Sequence, residues 1–305
     1  MHSLRIIYMG TPEFAVAPLA ALVENGFNIV AVVTVPDKPA GRGLQLTASP
    51  VKQFAQLHQI PVLQPVKLKD PEFISALKNF DADLQVVVAF RMLPEVVWQM
   101  PPKGTLNLHA SLLPDYRGAA PINHAIIHGE TETGITTFFL QHAIDTGDII
   151  FKEKILISPT DNAGTLHDKL MAAGAALIVK TVTAIEENNY TLTPQSGTSE
   201  KTAPKIFKEN CQINWDTTGN VVNNFIRGLS PYPGAYTLWN NKILKIYSGE
   251  FVATDVQSVP GTLLSDNKTF IRFAVRDGYY AVHALQAEGK KRMTTEEFLR
   301  GNKMN

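Results

Sequence analysis

Apolar and polar positions along this 305-residue chain follow two patterns, and the first gives way to the second near residue 190. In the front part, short runs apolar on both faces alternate with segments of helical period. Residues 4–10 (LRIIYMG) read as a buried strand. Residues 11–26 (TPEFAVAPLAALVENG) read as a helix, with Pro12 in its first turn, Glu13 at its positive end and Gly26 after its close. The β-branched run 28–35 predicts a second strand, and Ser49-Pro50 and Asp70-Pro71 open helices over 48–59 and 70–80. Residues 84–90 and 104–109 are further apolar strands, and 134–157 reads as two strands around a turn. In 164–189, Leu166, Leu170, Ala173, Leu177 and Ile185 recur near the helical period of about 3.6, which predicts one long helix. Alternation of this kind implies an α/β fold: a Rossmann-like open, mostly parallel sheet with helices on both faces.

Residues 191–208 break the pattern with two prolines, a glycine and the cations Lys201, Lys205 and Lys208, and read as a basic linker. A helix over 218–229 follows. Short strand-like runs at 234–239, 242–251 and 269–286, divided by Gly, Asn and Asp, then predict a small β-barrel of OB-like type. The expected organisation is a first domain at 1–190, a linker at 191–208 and a second domain at 209–305.

Formal net charge is zero, with 28 basic and 28 acidic side chains, but its distribution is uneven. Residues 1–200 hold 14 Lys and Arg against 19 Asp and Glu, while 201–305 hold 14 against 9. An acidic front and a basic back point to different partners for the two parts. A single cysteine, Cys211, excludes a disulfide framework and a cysteine-based metal cluster, and fits a reducing, cytoplasmic setting. No run of about 18 apolar residues occurs, so no membrane span is expected.

A lone glycine, Gly10, follows the first strand, without the glycine spacing that cradles a pyrophosphate. The chemistry-bearing stretch is 105–121, TLNLHASLLPDYRGAAP. Asn107 and His109 stand two apart and project to one face of a strand, at the end where open α/β sheets leave a crevice. An amide donor beside an imidazole suits a carbonyl whose oxygen becomes negative during addition. On spacing alone the pair could equally cap the strand end. Asp145, in DTGD (145–148), could take a proton or simply make an Asx-turn. The polar run 36–52 carries Lys38, Arg42 and Lys52, and suits either phosphate contact or a solvated loop.

With NLHASLLPDYRGAAP, DTGD, GTPEFA and PDKPAGRG…SPVK in the front part, and TAPKI…INW and NFIRGLSPYPGAY behind, the chain resembles the 10-formyltetrahydrofolate-dependent formyltransferases over essentially its whole length. That resemblance implies direct attack of an amine on the formyl group of 10-formyltetrahydrofolate, with no metal. In it Asn107 steadies the oxyanion, His109 handles hydrogen bonds and protons, and Asp145 orients and tunes the imidazole. Ser111, Leu112, Leu113 and Pro114 form part of the folate site, and Phe90 flanks the pterin. The basic loop and the second domain favour an enzyme acting on methionyl-initiator tRNA, contacted by Lys38, Arg42, Lys205 and Lys208; nothing demands more than a monomer. Two departures from the family pattern, Arg91 and the segment 140–144, lie near the expected folate pocket. An amino-sugar acceptor, hydrolysis of the folate, and a catalytically idle RNA-binding module are the competing readings.

Overall fold

The computed structural model describes residues 2–40, 45–195, 199–255 and 258–304. The chain divides into two compact units, each built from three stretches of sequence. The first contains Met1–Arg117, Gly134–Ile155 and His167–Lys201; the second contains Gly118–Thr133, Leu156–Leu166 and Thr202–Asn305.

The first unit is organised by a seven-stranded sheet. Its strands are β1 (Arg5–Gly10), β2 (Asn28–Val33), β3 (Val62–Leu63), β4 (Leu84–Val88), β5 (Thr105–His109), β6 (Glu132–Phe139) and β7 (Ile149–Leu156), in the order β7-β6-β5-β4-β1-β2-β3. Strands β3, β2, β1, β4 and β5 pair in parallel, and β6 runs antiparallel to β5. A 3₁₀ turn at Glu13–Ala15 leads into α1 (Val16–Glu24), followed by α2 (Pro50–Leu57), α3 (Pro71–Lys78) and α4 (Glu95–Trp98). The start signals of α2 and α3 act as their sequence implies. Ser49 Oγ accepts from Lys52 N and Asp70 Oδ1 from Glu72 N, each with proline at the head of the helix.

Side chains alternate across the sheet, so β1 feeds two cores. Ile7 and Met9 pack with Ala31, Val33 and Val87 against Phe73, Leu77 and Val97 of α3 and α4. Tyr8 points the other way, and its hydroxyl donates to Ala15 O at 2.6 Å, at the foot of α1. After α5 (Pro121–Ile127, in the second unit) comes the long α6 (Ala163–Glu186). A Cβ on its Gly174 would lie 2.9 Å from the Leu108 side chain, so the small residue lets the helix settle against β5.

The second unit pairs α5 with α7 (Gly219–Gly228), where Asn123 Nδ2 donates to Gly228 O at 2.8 Å. Its strands are β8 (Ala235–Trp239), β9 (Lys242–Ala253), β10 (Leu263–Ser265), β11 (Ile271–Val275), β12 (Gly278–Ala287) and β13 (Met293–Thr294), with α8 (Thr295–Leu299) at the end. They form an antiparallel half-barrel sheet in the order β8-β9-β12-β11-β10, with β13 added on β12. Trp215 stacks on Phe273 with centroids 4.4 Å apart and donates its indole N–H to Thr237 Oγ1, so it packs the core beside Ile226, Leu244 and Phe298. Cys211 is buried in the same core, its thiol donating to Phe207 O at 3.2 Å and pushed up by burial.

Several residues of the stretch 191–208 make main-chain hydrogen bonds to the strands and turns beside them. Thr193 exchanges both backbone hydrogen bonds with Ile149 at 2.9 Å, and Tyr116 N donates to Lys201 O at 2.7 Å. In the second unit Ala119 N donates to Ala203 O at 2.7 Å. These are main-chain bonds, which side-chain pattern does not reveal.

The chain start is fastened to the C-terminal end of α6. Glu186 accepts from Ser3 N at 2.5 Å, Ser3 Oγ at 3.1 Å and Leu4 N at 3.2 Å, and meets His2 Nδ1 at 2.5 Å while the His2 ring stacks on Phe27. Burial alone would raise the Glu186 carboxyl; the hydrogen bonds from His2, Ser3 and Leu4 outweigh it and hold the group at about 2, against the usual 4.5. A carboxyl with a lowered folded-state pKa binds fewer protons when folded, so its contribution is present above pH 4.5 and disappears as pH falls toward 2. Glu186→Gln should therefore lower the thermal midpoint at pH 7 and shrink the difference between pH 7 and pH 3, read by circular dichroism melts.

Candidate active site

Asn107 and His109 stand at the C-terminal end of β5 on one face, paired opposite Phe138 and Thr136 of β6. His109 is buried, and Asn107 is half-buried; among the described residues its side-chain amide makes no hydrogen bond. The imidazole is pinned at one nitrogen, with Nε2 lying 2.9 Å from Tyr116 O. A carbonyl can only accept, so Nε2 carries the proton and Nδ1 is the basic nitrogen of the neutral ring. Nδ1 faces Asp145, whose Oδ2 lies 3.8 Å away, with both side chains about nine-tenths buried (8% and 12% exposed). That separation exceeds a direct hydrogen bond but leaves the carboxylate positioned to stabilise an imidazolium.

Backbone conformation marks the same place. Among the described residues, positive φ at non-glycine positions falls on Asn, Asp or Gln except at Ala89 (47°) and Tyr116 (58°). Ala89 follows β4 and Tyr116 carries the carbonyl that holds His109; Asp145 itself has φ 54°. Left-handed backbone at an alanine or an aromatic residue is costly, of order 1–3 kcal/mol, and such strain gathers at functional sites.

The turn after β5 is built inward. Ser111 Oγ donates to Asp115 O at 2.6 Å, and Thr136 Oγ1 donates to Ser111 O at 2.7 Å while accepting from Leu113 N at 3.2 Å. Lys152 Nζ donates to Leu113 O. Ser111 and Leu113 are fully buried, whereas Leu112 and Pro114 are half-buried. Ser111 and Leu113 thus hold the turn, and Leu112 and Pro114 are its accessible members. Phe90 flanks the α3–α4 core, with the Arg91 guanidinium 5.3 Å from its ring centroid. Arg91 donates to Pro65 O at 2.8 Å and Val66 O at 3.1 Å, its Nε is buried without a partner, and burial lowers its pKa. The residue that departs from the family pattern therefore stitches the end of β4 to the chain after β3.

Two residues holding Asp145 escape a reading by motif. The Arg117 guanidinium donates through Nε to Asp145 O at 3.0 Å, and Gln195 Nε2 donates to Asp145 O at 3.0 Å and Gly147 O at 2.8 Å. Arg117 also reaches Gln195 Oε1, at 3.1 Å from Nε and 2.5 Å from Nη2. Gln195 sits 50 residues beyond Asp145 in the stretch taken for a linker, so nothing local in sequence announces it. Arg117 lies within the quoted RGAAP segment, which was the available signal. Gly147 is required by space, since a Cβ there would fall 1.6 Å from Phe139 O.

The predicted tRNA-contacting residues lie elsewhere. Lys38 is exposed on a two-stranded ribbon of Lys38–Ala40 with Gln45–Thr47, and Arg42 lies outside the described residues. Lys52, at the root of that loop, is engaged with Asp37 at 2.6 Å, and Gln64 donates to the other oxygen at 2.8 Å; together they lower the Asp37 carboxyl. In the second unit Lys205 and Lys208 are exposed and line, with Asn123, Tyr232 and Lys245, a cavity of about 400 Å³. Among the described residues no group of three or more His, Cys, Asp or Glu is placed to hold a metal ion, and no helix is long and apolar enough to cross a membrane.

Comparison with known proteins identifies the family. The formyl transferase family model matches residues 4–182, and the model of the formyl transferase C-terminal domain matches 205–303. The methionyl-tRNA formyltransferase of Bacteroides fragilis is 55% identical over 309 aligned positions, covering 98% of this chain and 95% of that protein. That of Desulforamulus reducens is 44% identical over 304 positions, covering 99% and 96%. Among solved structures, HypX from Aquifex aeolicus in complex with tetrahydrofolic acid superposes with a TM-score of 0.68 at 17% identity, over 99% of this chain and 48% of that one, a likeness of fold alone. With both of its parts matched and near-full-length relatives at this identity, the chain belongs to the formyl transferase family, among the methionyl-tRNA formyltransferases.

Proposed function

We propose that this protein transfers the formyl group of 10-formyltetrahydrofolate to the free amino group of methionyl-initiator tRNA. The observation that carries the site assignment is the convergence at one strand end: the unengaged Asn107 amide beside an imidazole whose basic Nδ1 faces the Asp145 carboxylate. The folate supplies an activated formyl carbon, and the remaining steps fall to the protein. An amine attacking that carbon drives charge onto the formyl oxygen, and a fixed amide donor such as Asn107 lowers the barrier where that charge develops. The attacking nitrogen arrives with a proton to lose, and His109 Nδ1 is the base that takes it. Asp145 stabilises the resulting imidazolium, while Tyr116 O keeps the ring from turning. His109 then returns the proton to the departing folate nitrogen.

Leu112, Pro114 and Phe90, accessible at the rims of the strand ends, are suited to contact the folate ring system. Lys205 and Lys208, with Lys38 and Arg42 of the polar stretch 36–52, supply cations for the phosphate backbone, consistent with the basic balance of residues 201–305.

Radiolabel transfer from 10-formyltetrahydrofolate to methionyl-tRNA is the direct test, with uncharged tRNA and an amino-sugar nucleotide as controls. Label on the charged tRNA alone is expected; transfer to the amino sugar, or steady release of formate without transfer, would reject the acceptor. Asn107→Ala should lower kcat by about 10²–10³-fold, the cost of removing one oxyanion donor. Binding of the tRNA should weaken steeply with salt, and Lys208→Ala should reduce the slope of log affinity against log salt by about 0.7–0.9, one phosphate contact's worth. An unchanged slope in a salt titration would remove Lys208 from the interface.

A further inference from the structure

We propose that Arg117 and Gln195 form a positioning pair that sets the Asp145 carboxylate against His109, so that the reaction depends on a glutamine from the segment following α6. The inference rests on the site reading above and adds the device that makes it work.

Asp145 sits in a loop whose side-chain direction depends on its own unusual backbone, φ 54°. Aspartate tolerates a left-handed backbone, so contacts on the loop are needed to select it and fix where the side chain points. Here the contacts are on the main chain. The Asp145 carbonyl receives two donors, Arg117 Nε and Gln195 Nε2, each at 3.0 Å, and the Gly147 carbonyl receives Gln195 Nε2 at 2.8 Å. One amide group thus bridges both carbonyls flanking Thr146. Arg117 in turn orients that amide by donating to its oxygen from Nε and Nη2. The guanidinium admits only one way round for Gln195: the oxygen must face arginine, leaving the NH₂ to face the loop.

The pair also ties the two halves of the catalytic arrangement together. Tyr116, the residue before Arg117, presents the carbonyl that fixes His109 Nε2 at 2.9 Å. Consecutive residues therefore hold the imidazole, through the Tyr116 main-chain oxygen, and the backbone of Asp145, through the Arg117 guanidinium. Since the His109–Asp145 separation is already 3.8 Å, a further displacement of the loop would remove the carboxylate's effect on Nδ1. Neither Arg117 nor Gln195 bonds the Asp145 carboxylate in these contacts, so the action passes through the backbone.

Glutamate at position 195 separates positioning from folding. Its carboxylate still accepts from Arg117 but has no proton to give the carbonyls of Asp145 and Gly147. The experiment measures kcat, both KM values, the pH profile of kcat/KM and the thermal midpoint for Gln195→Glu, Gln195→Ala, Asp145→Asn and the double variant Gln195→Ala/Asp145→Asn. Gln195→Glu should keep a near-normal melt and both KM values while kcat falls about 10-fold or more, within the roughly 100-fold that a misplacement of about 1 Å can cost. Its acid-limb inflection should move with that of Asp145→Asn. The double variant should be no slower than Asp145→Asn alone, because a group acting through Asp145 has nothing left to position. Full activity in a folded Gln195→Glu, losses that multiply in the double variant, or a defect confined to KM would each overturn the inference. Should Asp145→Asn itself retain wild-type kcat, the triad assignment falls, and this pair with it. Should Asp145→Asn be slow while Gln195→Glu is normal, the triad stands and only the positioning pair is lost.

Discussion

A carbonyl oxygen offers only lone pairs, and Tyr116 presents one to His109 Nε2 at 2.9 Å. Much follows from that contact. It fixes which imidazole nitrogen is basic, and therefore which side of the ring must meet the carboxylate. It requires Tyr116 to adopt a left-handed backbone, φ 58°, with its ring buried, and so requires the inward-folded turn from Ser111 to Asp115 that delivers it. The cost of that backbone is met by the hydrogen bonds of Ser111, Thr136 and Lys152, which leave the turn few alternatives.

The parallel order of β3-β2-β1-β4-β5 does the rest by placing strand ends side by side. Side chains two apart on β5 share a face, and the antiparallel β6 covers that strand's outer edge. The DTGD loop then returns from β6 toward β7 beside them, close enough that Gly147 has no room for a side chain. The candidate site is set by where strands stop rather than by any one residue in isolation.

Much of this could be read before any coordinates. The β-branched runs and the Ser49-Pro50 and Asp70-Pro71 starts located strands and helices to within a few residues, because apolar period and capping are local chemistry. Asn107 and His109 were visible as a spacing on a strand, and Asp145 as an acid in a glycine turn; their roles came from resemblance. What sequence pattern did not carry was main-chain commitment. Thr193, Gln195 and Lys201 lie in a polar, proline-bearing stretch that looks unattached, yet their bonds reach Ile149, Asp145 and Tyr116. Arg91 was visible as an oddity only; that it secures Pro65 and Val66 depends on a partner 26 residues away. The same applies to Lys52, whose charge is taken by Asp37.

The interleaving of the two units bears on how the chain comes into being. Residues 118–133 and 156–166 are synthesised long before α7 and the half-barrel sheet with which they cluster. Asn123 waits about a hundred residues for the Gly228 carbonyl, and Ile127 for the glycine that lets α7 approach it. Domains that emerge from the ribosome as unbroken segments can fold as they appear. Here the first unit encloses, along the chain, a helix that belongs to the second. That helix must wait for its packing partners, so the second unit is complete only after the last third of the chain has been made.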